Sequence, residues 1–209
     1  MAKDGNTGAA RFLPERRSLP ELREAAAHCQ GCDLYRNATQ TVFGEGPTDA
    51  RFMLVGEQPG DQEDHKGAPF VGPAGRVLDR ALEEAGIARE EVYLTNAVKH
   101  FSFTLRGKRR IHQKPTVAEI EACRPWLSSE LALVEPEMIV VLGATAARAL
   151  LGADFRVSRQ RGEVLELGEA LAVATIHPSA VLRAPDREEA YKGLVSDLTL
   201  ARRSCPCSS

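Results

Sequence analysis

Four short apolar runs, at residues 51–56, 92–98, 138–143 and 171–176, constrain this chain more than any other feature. Each is too short for a buried helix and long enough for a strand buried on both faces. Between them lie stretches with helical spacing. One opens at Ser18, where Glu21 completes a capping-box pattern. Others cover 75–86, then 117–134 behind the cap Thr116 with Glu119, then 144–151 and 185–203. Strands alternating with helices imply an α/β fold: a three-layer α/β/α sandwich on a central four-stranded parallel sheet. Residues 162–167 read as an additional edge strand. The domain is expected over 18–203, between a loose polar arm at 1–17 and a flexible tail at 204–209.

Ligands of such sheets bind at the carboxyl ends of the strands. Glu57, Asn96 and His177 fall there. Glu57 reads as a base or a negative charge facing a developing cation, or as a solvated turn acid; Glu63 and Asp64 read as surface acids. Asn96 carries the donors and acceptor that read a pyrimidine edge, or bonds nearby backbone. His177 can donate to an oxygen gaining charge, or be a satisfied structural histidine. Phe70, on a Pro/Gly-rich loop, can stack on a flat base or plug the core. Arg183 enters a nucleic-acid groove or is an ordinary solvated arginine.

The formal net charge is only −2, so a nucleic-acid surface must be a local patch. Residues 106–115 provide one, with Arg106, Lys108, Arg109, Arg110 and Lys114 and no acid. Gly107 and Pro115 mark it as a loop. Lys108, Arg109 and Arg110 are its candidate phosphate contacts. His112 differs in kind, because a neutral imidazole is a nucleophile and a proton carrier. No apolar run suits a membrane span or a signal peptide, so a cytoplasmic monomer with reduced thiols is expected. In that setting Cys29-x-x-Cys32, with Cys123, reads as a zinc or iron–sulfur site. His100, Cys205 and Cys207 are the available fourth ligands, and an inert buried thiol is the alternative for Cys123.

The order of these motifs resembles the iron–sulfur uracil-DNA glycosylases of the fourth family. It runs Cys29-x-x-Cys32, Val42-Phe43-Gly44-Glu45-Gly46, Gly56-Glu57-Gln58-Pro59-Gly60, Pro69-Phe70-Val71-Gly72, Thr95-Asn96-Ala97-Val98-Lys99, Leu142-Gly143-Ala144 and His177-Pro178. The resemblance covers roughly residues 20 to 200 and implies a 4Fe–4S cluster and excision of uracil from DNA. Two departures stand out. His100 occupies the place of that family's third cysteine, and the stretch 108–112 is inserted. Both, with Gln58, are similar to the UdgX subgroup, which links itself covalently to uracil-containing DNA. On that match Cys29, Cys32, His100 and Cys123 hold the cluster. Phe70 stacks on the flipped base and Asn96 reads it. His177 stabilises charge on its O2, and Gln58 and Asp61 bound the pocket. His112 captures C1′ with help from Glu57. The competing readings are a glycosylase that turns over and a non-catalytic iron–sulfur DNA-binding protein.

Overall fold

The computed structural model describes residues 8–206. In chain order its elements are α1 (Leu19–Ala27), β1 (Phe52–Gly56), α2 (Asp61–Lys66), α3 (Pro73–Ala85), β2 (Val92–Asn96), β3 (Phe103–Arg106), β4 (Arg109–His112) and α4 (Val117–Val134). Then follow β5 (Met138–Leu142), α5 (Gly143–Leu151), α6 (Val157–Gln160), β6 (Val164–Leu167), β7 (Ala170–Thr175), α7 (Pro178–Arg183) and α8 (Arg187–Ser204). Both expected capping boxes form. Ser18 Oγ accepts from the Glu21 amide, and Thr116 Oγ1 accepts from the Glu119 amide.

The central sheet has the order β2-β1-β5-β7-β6. Its first four strands are parallel, and β6 joins β7 antiparallel at the edge. Successive strand residues feed opposite faces. Met53, Val55, Ile139, Val141 and Ala172 pack under α1, α4 and α5. Phe52, Leu54, Met138, Val140 and Val173 pack under α3, α7 and α8. Both faces of the four parallel strands are therefore dry, which is why their sequences are continuous apolar runs rather than alternating ones.

Three expectations are corrected. The stretch 106–115 is not an irregular loop: β3 and β4 pair as an antiparallel hairpin, with Phe103 opposite His112 and Arg106 opposite Arg109. Its two-residue turn starts at Gly107, whose φ of +62° suits a glycine in the first central position. The arm expected over 1–17 is packed from Gly8 on. Gly8–Phe12 forms a 3-10 turn with Ala9 buried in the core, while residues 1–7 lie outside the described residues. In the tail, Cys205 is buried, and Cys207 lies outside the described residues. Among the described residues no helix is long and apolar enough to cross a membrane.

Candidate active site

The parallel register brings the ends of β1 and β2 together, with Gly56 beside Asn96. A Cβ at Gly56 would collide with Asn96 Oδ1 and Phe70 Cζ, so glycine is what lets the two side chains converge. Phe70 adopts φ +56°, a left-handed conformation that costs a non-glycine residue about 1 kcal/mol. Its carbonyl packs so tightly on Gly75 that no Cβ fits there. Phe70 and Asn96 both line a cavity of ≈ 650 Å³, together with Glu57, His112 and His177.

His177 caps α7. Its Nδ1 accepts the Ser179 amide at 3.2 Å, with Ser179 Oγ at 2.8 Å. With Nδ1 an acceptor, the neutral ring carries its proton on Nε2. Burial pushes its pKa down to about 4; Glu57 opposes this, and Arg183 and His112 add to the lowering. The ring is thus a neutral hydrogen-bond donor at neutral pH. It stacks on Phe70 at 6.1 Å and 26°.

Glu57 follows β1 directly. Its Oε1 lies 3.1 Å from His112 Nε2, and its Oε2 accepts from Thr145 Oγ1. Burial alone would raise its pKa. The hydrogen bonds from His112 and Thr145 outweigh that, and the pKa is lowered. A carboxylate therefore faces a half-exposed imidazole in the same cavity.

The hairpin that presents His112 is held from beneath. Gln58 Nε2 donates to the carbonyls of Ser102 (3.2 Å) and Gln113 (2.9 Å), and its Oε1 accepts the Ser102 amide at 2.9 Å. Gln58 lines the cavity, yet its amide is engaged by both feet of the hairpin. Arg110, expected among phosphate contacts, turns inward instead. It pairs with Asp61 and Asp64, each at 2.6 Å, and its guanidinium lies over Phe101 and Phe103. Asp61 accordingly sits in the groove with Leu105 and Lys108, away from the cavity it was expected to bound. Lys108 and Arg109 are left facing out at the turn, and Arg183 lines the cavity. Glu63 and Asp64, read as surface acids, are both buried. Glu63 accepts the amides of Gly60 and Gly72, and Asp64 accepts the Thr39 amide as well as Arg110. Their partners are distant in sequence or are backbone amides, so no local signal marked them.

Two of the candidate metal ligands, Cys29 and Cys123, lie in the core layer under α1 and α4. Cys29 Sγ accepts from Trp126 Nε1 at 3.2 Å, and Cys123 Sγ accepts the Lys99 amide at 3.2 Å. Burial pushes the Cys123 thiol up to about 12, and burial likewise raises Cys32. His100 Nε2 is 2.9 Å from Thr41 Oγ1, whose own proton goes to the Ala26 carbonyl. The ring therefore donates through Nε2 and keeps a lone pair on Nδ1. Burial lowers its pKa to about 4. Cys205 packs in the other core layer, 3.2 Å from Glu137 Oε2, and so is removed from the fourth-ligand candidates. Among the described residues no three His, Cys, Asp or Glu side chains converge closely enough to hold one metal ion. Cys29, Cys123 and His100 are buried and Cys32 is half-buried; thiols are soft donors and imidazole a borderline one, a set whose chemistry suits an iron–sulfur group rather than a hard cation.

The chain is 39% identical over 171 residues to a type-4 uracil-DNA glycosylase of Thermotoga maritima, covering 80% of this chain and 85% of that protein. It is 37% identical over 183 residues to a type-4 uracil-DNA glycosylase of Archaeoglobus fulgidus, covering 84% and 88%. A type-5 uracil-DNA glycosylase of Pyrobaculum aerophilum matches more weakly, at 32% over 152 residues, covering 64% and 63%. The family model described as the uracil DNA glycosylase superfamily matches residues 43–199, a stretch holding both the strand-end cavity and the hairpin beside it, and the chain belongs to that superfamily.

Proposed function

We propose that this protein excises uracil from DNA and then captures the abasic sugar on His112. The observation that carries the reading is the 3.1 Å contact between Glu57 and an imidazole lining the cavity. Uracil enters flipped out of the stack and lies against Phe70, with its edge read by Asn96. The C1′–N1 bond breaks with its electron pair staying on the base. His177, neutral and donating from Nε2, stabilises the charge that grows on O2. Glu57 faces the cation-like sugar. One ring nitrogen of His112 gives its lone pair to C1′. The imidazole proton passes through Glu57 to the departing base, which leaves as neutral uracil. An N-alkyl imidazole is a poor leaving group, so the reaction stops there. Lys108 and Arg109 contact phosphates, which makes binding salt-dependent.

A second reading, a glycosylase that releases its product, is favoured by the half-exposed His112, since water can reach the same carbon. Denaturing electrophoresis with a uracil-containing oligonucleotide separates the two. The first reading expects a slow, heat-stable protein–DNA band lost in His112→Ala; the second expects free abasic strand and no band.

We further propose that Cys29, Cys32, His100 and Cys123 hold a 4Fe–4S cluster. When bound, such a cluster supplies a cross-link between segments and a one-electron redox centre. The residues themselves come from the segment after α1, the segment after β2, and α4.

A further inference from the structure

Beneath Asn96 lies an ion pair that the mechanism above does not use. Lys99 Nζ donates to Glu130 Oε2 at 2.5 Å, and their side chains are 1% and 0% exposed. All three ammonium protons have acceptors, the others being Thr95 Oγ1 at 2.6 Å and the Asn96 carbonyl at 2.8 Å. Glu130 also accepts from the Gly44 amide, Tyr93 Oη and Thr95 Oγ1. The network thus ties the 42–46 segment and α4 to the end of β2.

Stability alone is a weak reason for such a pair. Desolvating two ions costs several kcal/mol, and well-packed neutral replacements are often as stable or more so. What the network provides is geometry. The Lys99 ammonium reaches the carbonyl of the residue whose side chain lines the cavity. The next two amides, of Ala97 and Val98, donate to Gly56 and Glu57, so the turn is held from both sides. An asparagine amide discriminates by where its donor and acceptor point, and a small rotation of its backbone would misalign both.

We propose that Lys99 and Glu130 are positioning residues that fix Asn96 for recognition of the base. The role rests on the uracil reading above. Its test is the neutral double variant Lys99→Met/Glu130→Gln, which leaves no buried charge unpaired. Two quantities are compared with the wild type. One is the concentration of free uracil that half-inhibits excision. The other is affinity for DNA carrying an abasic-site analogue, which has no base to read.

The expected result is a folded variant, by its thermal midpoint and far-ultraviolet spectrum. It should need about tenfold more uracil for inhibition, the worth of one well-placed hydrogen bond, with abasic-DNA affinity unchanged. Parallel loss of both affinities, or no loss of either, overturns the role. Should the double variant not fold, Thr95→Val removes one partner of Lys99 and of Glu130 without charge. It should raise the inhibitory uracil concentration about threefold, below the full worth of a hydrogen bond; unchanged inhibition overturns the role. A wild-type protein that neither excises uracil nor is inhibited by it overturns the functional reading itself, and is recognised before any variant is made.

Discussion

Glu57 Oε1 and His112 Nε2 lie 3.1 Å apart, although they stand 55 positions apart in the chain and at the strand ends of two separate sheets. The contact joins the end of a buried parallel strand to an exposed hairpin. It places a carboxylate and an imidazole in one cavity.

Thr145 donates to the second oxygen of Glu57 from a fully buried position. Thr145→Val keeps the shape and deletes that bond to the charged form. The Glu57 pKa should rise, and the acidic limb of the pH–rate profile should move up by about one unit, the scale of a hydrogen bond to an ionised group. A single-turnover rate series from pH 4 to 8 measures it.

Stability should fall on acidification. The unfolded chain protonates His177 near its ordinary value of 6.5, whereas the folded ring resists until about 4. The folded state therefore binds fewer protons in that window. Stability is fully present above the unfolded value and is lost as pH drops from about 6.5 towards 4. Glu57, whose folded pKa is lowered, acts with the same sign at lower pH. Thermal midpoints between pH 7.5 and 4.5 should decline, and less so in His177→Gln.

The basic residues of the hairpin should separate into two classes. Arg110→Ala leaves Asp64 buried without its cation and should destabilise the fold by about 3 kcal/mol. Lys108→Ala should leave the melting temperature alone, weaken binding to all DNA sequences alike, and reduce the slope of log affinity against log salt by about one. Denaturant titration and salt-dependent anisotropy check the two.

Cysteine substitutions should divide by core layer. Cys123→Ser should lower iron content and visible absorption. Cys205→Ser should leave both unchanged, because Cys205 packs beneath α3 and α8 on the other face of the sheet. Iron per chain, assayed on anaerobically purified protein, decides between them.

Much of this architecture was readable from local pattern. The strands of the parallel sheet are continuous apolar runs, and the α4 bounds coincide with its capping box and its last apolar residue. Three short helices were not readable: α6 is a single four-residue turn, too short to show a period. α2 is six polar residues with no apolar period, and α7 is one and a half turns opened by Pro178. The hairpin was masked because its strands carry charge where a half-buried strand would alternate; the two-residue turn at Gly107-Lys108 was its only signal. Long-range pairing was the larger gap. Arg110 reads as a surface cation until Asp61 and Asp64 are seen beneath it, and nothing local in the sequence ties Gln58, which does line the cavity, to Ser102 and Gln113. Lys99 and Glu130, 31 residues apart, carry no mark of their pairing at all.

The most direct test of the central claim is intact mass spectrometry after incubation with a uracil-containing oligonucleotide, followed by peptide mapping. The account predicts a species equal to protein plus oligonucleotide minus one uracil, with the added mass on His112. An unmodified protein beside released abasic strand, or the same adduct formed by His112→Ala, would contradict it.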